Sequence, residues 1–480
     1  MTRQEPALLR AWRQWPKGHF WAPVILIALA GLVVRLHVAS DPALHQWDER
    51  HHALVAKHLS EHPLRPTLTD PAVLPYDHTG WSDNHVWLHK PPMALWLIAA
   101  SLRVLGTCEL AVRLPSVLLS TLAVLLTAFL GLRLFGPSIG LWAAAFHSGN
   151  GFVMRLAGGR VATDHVDSVL VFFVELGVVF ALKYTDRRKQ RYLLLLAVSV
   201  AAAVLTKWAV GFLALPVAFF LLLRTESLRS TVYSLFSVTS FAVALVAPWN
   251  AYIHANFPTE AAYAAWHNMK HLQVAVEGHK GYPFYHFHKS LFLYGPQGLV
   301  VLATVVVLAI RKRGDFGLMA LTAWAWLPMI VFSWAPTKLQ AFTFVSAPAI
   351  FLVHAYLLQA VARHRFNFRG VRVILLIALV AAPAWATAHE LTVGAIRTVP
   401  YWRTAIDRLD QKLGPKPTVV FNAQRNIEIM FYTDHIAYRR MPNDRDVALA
   451  RRAGYPVAVI RGTRVPTRFT KDPTIKLLFW

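Results

Sequence analysis

VILIALAGLVV, Val24 to Val34, decides the fold, and HQWDERHHALVAKHLSEHP, His45 to Pro63, follows it almost at once. The first stretch is the uncharged centre of a segment long enough to cross a bilayer as a helix. The second presents an acidic pair, Asp48 and Glu49, and then His51, His52 and His58. Runs like the first recur along the 480 residues, which are 56% hydrophobic and only 15% charged. They are long blocks, without the alternation a soluble core requires, and so predict a polytopic α-helical membrane protein.

A net charge of +24 would suggest nucleic acid in a soluble chain. Here the Lys and Arg fall largely in short loops between apolar runs, where they set orientation and meet anionic headgroups, so no nucleic-acid partner is expected. Arg3, Arg10, Arg13 and Lys17 precede the first run, which lacks a small-residue cleavage site and is read as an uncleaved helix. Cys108 is the single cysteine, which excludes an intramolecular disulfide and any multi-cysteine metal site.

With roughly 17 to 25 residues per crossing, about 11 spans are expected, near 22–39, 112–132, 138–156, 166–183, 191–206, 208–223, 231–252, 289–310, 316–334, 339–361 and 371–391. The basic clusters 187–191, 224–229, 311–313 and 363–369, with the amino terminus, then all face one side, the cytoplasm. PPMALWLIAAS in 91–107 is too short to cross and reads as an interfacial helix. The expected organisation is a transmembrane domain over 1–391, with outer loops at 41–110 and 251–288, the first carrying an amphipathic helix over 42–61. After residue 392 the apolar runs give way to short alternating elements. TVVFN, IAYRRM, PVAVIRG and TIKLLFW read as strands and RTAIDRLDQKL, AQRNIEIMFYT and DRDVALARRAG as helices, a small periplasmic α/β domain over 392–480.

This topology gathers polar residues at the outer face: Asp48 and Glu49, Lys90 in LHKPP, Arg160, Asp164 and Asp167 in GGRVATDHVDSVLVFF, Lys207 in LTKWAVG, His267, His279, Lys280, and Lys338 in SWAPTKL. Each has an ordinary explanation. Lys90 and Lys338 would serve as snorkelling anchors, Asp164 or Asp167 as a helix cap, and Glu49 as a surface partner of Arg50 or Arg103. Histidines 51, 52 and 58 fit interfacial hydrogen bonding better than a metal site, having no third spaced ligand. Lys207 is harder to explain so, because it interrupts an apolar hairpin on the side that disfavours Lys. No acidic residue is expected deep in a span. Together, a carboxylate among cations at a bilayer surface suits group transfer from a lipid-linked phosphate: the base takes the acceptor's proton while cations stabilise the leaving phosphate.

The order WDERHHALVAKHL, HKPPMALWLIAASLRVLG, ELAVRLPSVLLSTLAVLLTAFLGLRLFG, DSVLVFF, LTKWAVG, APWNAYI, EGHKGYPFYHF and SWAPTKL resembles the polyprenyl-phosphate-sugar-dependent glycosyltransferases of the GT-C superfamily, the protein O-mannosyltransferases and lipid A aminoarabinose transferases among them. The resemblance covers most of 20–360. It implies Asp48 as catalytic base with Glu49 beside it, and contacts to the lipid phosphate from Lys90, Lys207, His279 and Lys338. It also implies a second-loop acid at Asp167, with Asp164 left open. The chain departs from the pattern with Arg50, His51 and His52 in place of an Arg-Tyr, with Trp208 and Ala209 after Lys207, and with Gln340 after Leu339. These changes bear on acceptor recognition, and His51 and His52 are assigned to the acceptor side.

The expectation is therefore an inverting glycosyltransferase moving a sugar from a polyprenyl (undecaprenyl) phosphate donor to a glycan, lipid or protein acceptor at the periplasmic face of a bacterial inner membrane. No cofactor is required, although Asp48, Glu49 and Asp167 are the set that would hold a divalent metal. The alternative from another class is a secondary transporter or lipid flippase, which would be expected to show duplicated halves and charges deep in its helices. A non-catalytic scaffold that keeps the fold is the third reading.

Overall fold

The computed structural model describes residues 19–161, 164–312, 314–364, 368–462 and 465–480. Arg3, Arg10, Arg13, Lys17, Arg313 and residues 365–367 lie outside the described residues, as does the side chain of Asp164. Chain contacts define two units, Met1–Val38 with Ser116–Asn250 and His267–Val393, and Ala39–Pro115 with Ala251–Trp266 and Gly394–Trp480.

The first unit is helical. Among the described residues of the whole chain, eight helical stretches are long and apolar enough to cross a membrane, and nine if the pair Tyr285–Tyr294 and Gly298–Arg311, bent by 107°, is one span. Leu26, Val33, Phe236, Ile374 and Trp385 point outward from these helices, as apolar side chains do where the solvent is lipid. The run read as 138–156 is divided into helices Pro137–Ser148 and Gly151–Ala157, because the side chain of Asn150 accepts from Val153 N at 2.9 Å and caps a new helix. Arg191–Leu222 is apolar over 32 residues, about 48 Å as a straight helix and too long for one crossing. The chain reverses within it, at Lys207 and Trp208. Gly211 lies against the backbone of Ala203 and Val204, and Glu226, just past the stretch, accepts from Tyr184.

Two ionisable side chains, Glu175 and Arg35, sit inside this apolar bundle, and Glu175 goes against the expectation that no acidic residue would lie deep in a span. Glu175, in the middle of helix Asp164–Arg187, is fully buried and accepts from Thr127 Oγ1 at 2.5 Å, and Thr127 also bonds His147 Nδ1 at 2.7 Å. Arg35, equally buried, donates to Ser120 Oγ at 3.1 Å and to the carbonyl of Ser148 at 3.2 Å. Their hydrogen-bond partners come from other helices, which is how buried ionisable groups are tolerated in lipid.

The second unit is α/β. Four parallel strands, β1 (Val419–Phe421), β2 (Ile436–Ala437), β3 (Val457–Ile460) and β4 (Ile475–Leu478), form a sheet in the order β2-β1-β3-β4. The central strands read VVF and VAVI, the continuous apolar runs of a sheet covered on both faces. Helices Asp48–Glu61 and Pro92–Leu105 lie in the same unit. Leu54, Leu59 and Ile98 share one core with Ile406, Val420 and Ile427, so the first loop and the carboxyl-terminal elements are packed together.

Candidate active site

The first turn of helix Asp48–Glu61 sends each side chain to a different partner. Trp47, just before it, has φ 74°, a left-handed conformation costly for a bulky residue and common where a site is held in a fixed shape. Glu49 turns inward. Arg113 Nε donates to its Oε1 at 2.6 Å and Nη2 to Oε2 at 3.3 Å, and the other guanidinium donors reach the carbonyls of Ala39, Asp41 and Ala43 at 2.7 to 2.9 Å. All five guanidinium N–H groups are thus used. Both side chains are 0% exposed, so the partner of Glu49 is a buried arginine and not Arg50 or Arg103 on a wet surface. The signal in the sequence is a cation inside the apolar segment 109–135, which requires a nearby anion.

Asp48 lies about 100° around the helix from Glu49. Its Oδ2 is 3.7 Å from Lys90 Nζ, with the two side chains 19% and 21% exposed, and the ammonium lies 5.7 Å from the ring centre of Trp81. The pair is partly exposed and its contact long, so its net worth is small and an incoming anion can compete for the ammonium. Arg50 reaches Glu428 at 3.2 Å, a buried carboxylate that Arg425 also holds at 2.9 Å. His51 Nδ1 donates to the carbonyl of Trp47 at 2.9 Å, which leaves Nε2 to accept from Ser82 Oγ at 2.9 Å. Burial lowers its pKa to about 3, so the ring is neutral. His52 is buried with its ring 5.5 Å from that of Trp87.

In the helical unit, Lys207 pairs with Asp167 and lies 5.2 Å from the ring centre of Phe342. The pair forms because Lys207 ends helix Arg191–Lys207, where Trp208, at φ 51°, turns the chain back. Arg160 Nη1 donates to the carbonyl of Leu391 at 2.9 Å. His279 and Lys338 are neighbours through the backbone, Lys338 N donating to the His279 carbonyl at 2.9 Å. A Cβ on Gly281 would come within 2.7 Å of Lys338 Cγ, so the close approach requires glycine. The Lys338 ammonium donates to the carbonyls of Phe332, Ser333 and Ala335 at 3.0, 2.5 and 2.5 Å. Its three protons cap the end of helix Phe316–Trp334, and a phosphate would have to replace one of those carbonyls.

The sequence-predicted residues therefore meet as three pairs, Asp48 with Lys90, Asp167 with Lys207, and His279 with Lys338. Among the described residues no three His, Cys, Asp or Glu side chains are grouped as metal ligands. Glu49, whose oxygens both accept from Arg113, does not fit the metal set named above.

Apolar helices joined to a small α/β unit, with a carboxylate and a lysine paired at the start of the first loop helix, define the class. The fold is that of the GT-C membrane glycosyltransferases. The family model for dolichyl-phosphate-mannose-protein mannosyltransferases matches residues 89–252. The chain is 30% identical over 157 residues, 32% of its length and 31% of the relative's, to an uncharacterised protein of Aquifex aeolicus. It is 28% identical over 178 residues, 35% of its length and 36% of the relative's, to the lipid A galacturonosyltransferase RgtD of Rhizobium johnstonii. The match thus spans about a third of each of these curated relatives. The crystal structure of ArnT from Cupriavidus metallidurans bound to undecaprenyl phosphate is similar with a TM-score of 0.66 at 17% identity, over 95% of this chain and 89% of that one.

Proposed function

We propose that this chain is an inverting glycosyltransferase that moves a sugar from a polyprenyl phosphate to a hydroxyl or phosphate acceptor at the periplasmic face of a bacterial inner membrane. The observation that carries the proposal is the contrast between Asp48 and Glu49. Glu49 is locked in a dry pair with Arg113, both side chains 0% exposed, while Asp48 is 19% exposed with its Oδ2 3.7 Å from the Lys90 ammonium. The locked pair fixes the helix and sets the partly exposed Asp48 carboxylate beside a lysine.

In this reading the Asp48 carboxylate takes the acceptor's proton as the acceptor oxygen attacks the anomeric carbon. The bond from that carbon to the phosphate oxygen breaks, its electron pair leaves with the phosphate, and a single displacement inverts the anomeric centre. Lys90 stabilises the charge that develops. Lys207, His279 and Lys338 are the further phosphate contacts that the family resemblance assigns, Lys338 by giving up one of its three carbonyls, and the buried His51 and His52 shape the acceptor side through Trp47, Ser82 and Trp87. A glycosyltransferase acting on lipid A among the relatives and a bound undecaprenyl phosphate in a protein of the same fold support the donor and acceptor classes.

The test is Asp48→Asn, with release of free polyprenyl phosphate as the readout across a panel of lipid-linked sugars. A fall in turnover of about a hundredfold or more, with donor affinity little changed, is expected for loss of a general base. Turnover near the wild-type rate would remove Asp48 from the mechanism.

A further inference from the structure

The carboxyl-terminal sheet carries chemistry that Asp48 does not use. Its strands are parallel in the order β2-β1-β3-β4, so the crossovers from β1 and from β3 leave toward opposite edges. In open parallel sheets the crevice beyond the carboxyl ends of such strands is where ligands bind. At the end of β1, Asn422 is left-handed at φ 58° and its side-chain amide donates to the Ile460 carbonyl at 2.9 Å. At the end of β3, a Cβ on Gly462 would lie 3.2 Å from that amide. Backbone bonds from Asn422 N to the Arg440 carbonyl, 2.9 Å, and from Arg461 N to the Leu478 carbonyl, 2.7 Å, bring the segments after β2 and β4 to the same rim.

Arg439, Arg440, Arg461 and Phe479 are exposed along this rim. Asp446 balances Arg440 at 2.7 Å. Arg439 donates to Gln424 Oε1 at 3.3 Å, and Arg461 lies 5.2 Å from the ring centre of Phe479. These two partners are neutral, so both guanidinium charges stay available, next to an aromatic face that is 66% exposed. Planar guanidinium groups bind phosphate with two parallel hydrogen bonds, and an open aromatic ring offers a surface for the apolar face of a sugar. From residue 392 onward, 16 Lys and Arg stand against seven Asp and Glu, which raises the local concentration of anions.

We propose that a phosphate-bearing sugar binds at the carboxyl edge of β1 and β3, its phosphate held by Arg439 and Arg461 and its ring against Phe479. The site makes and breaks no bond, and it stands whether or not Asp48 is the base.

The test is calorimetric titration of the full-length protein in nanodiscs with glucose 1-phosphate, glucose and inorganic phosphate. Saturable binding of glucose 1-phosphate is expected, with glucose weaker by about tenfold or more, the value of one charged hydrogen bond. Arg439→Gln combined with Arg461→Gln weakens glucose 1-phosphate by about tenfold or more, and the exposure of both residues leaves the melting temperature unchanged. Phe479→Ala weakens glucose 1-phosphate and spares inorganic phosphate, whereas Asp48→Asn and Lys90→Gln alter neither. The proposal is overturned by absence of saturable binding, by glucose binding as tightly as its phosphate, or by a double variant that binds like wild type. Loss of binding in Lys90→Gln would also overturn it, since the phosphate would then reside beside Asp48.

Discussion

Arg113 and Glu49 meet in a dry interior, Nε to Oε1 at 2.6 Å, with every guanidinium proton accepted by a carboxylate or a carbonyl. Removing one partner of such a pair leaves an uncompensated buried charge, at a cost of about 3 to 5 kcal/mol. Glu49→Ala is therefore expected to destabilise the protein by that amount, measured by denaturant titration in detergent. Replacing both residues together, Glu49→Leu with Arg113→Met, is expected to recover much of the loss. Equal damage from the single and double variants would show that the pair is not the anchor.

Lys90 lies 3.7 Å from Asp48 Oδ2 and over the face of Trp81. Lys90→Gln is expected to lower turnover with a lipid-phosphate donor by about one to two orders of magnitude, the loss of one charge-stabilising donor. Thermal stability should stay within about 1 kcal/mol, because the pair is partly exposed and its contact long. Measuring rate and melting temperature on the same preparation separates the two effects.

His51 gives the pH dependence a sign. Burial lowers its pKa from 6.5 to about 3, and in the unfolded chain it takes a proton near pH 6.5. Between those values the unfolded state holds one more proton, so stability from this residue is complete above pH 6.5 and declines by up to about 1.4 kcal/mol per pH unit below it. The melting temperature of His51→Gln is expected to fall less than that of the wild type between pH 7 and pH 5. Parallel curves would assign the acid sensitivity elsewhere.

A methyl group at Gly211 would sit 2.3 Å from Val204 N and 2.4 Å from the Ala203 carbonyl carbon. Both are backbone atoms and neither can swing aside. Gly211→Ala is expected to open the turn after Lys207 and to abolish transfer without altering any charge, with protease cleavage between 206 and 213 as the structural readout. An intact, active variant would mean that the turn is tolerant.

What the sequence disclosed follows from the range of each signal. Apolar blocks and the strand runs VVF and VAVI are local, and they located the helices and the sheet. Lys207 announced a reversal because a lone ammonium interrupts an apolar block. Asn150 went unread as a break because one capping side chain is a faint mark in a run of hydrophobic residues. Glu175 and Arg35 were missed for a different reason: their partners Thr127, His147 and Ser120 lie on helices that sequence spacing does not relate. The same holds for Glu49, whose ordinary explanation named Arg50 or Arg103 because the true partner, Arg113, is 64 positions away. The residue types around Asp48, Lys90, Asp167 and Lys207 suggested the proposed chemistry, but which of them touch is a property of packing alone.

The shared core of Leu54, Leu59, Ile406, Val420 and Ile427 has a consequence for how the chain can be cut or exchanged. A truncation at residue 393 would strip the cover from the helix that begins at Asp48 and expose aliphatic side chains to water, so the tail is no detachable appendage. Swapping it between relatives would require moving the first loop with it, and the two segments should be inherited as a matched set.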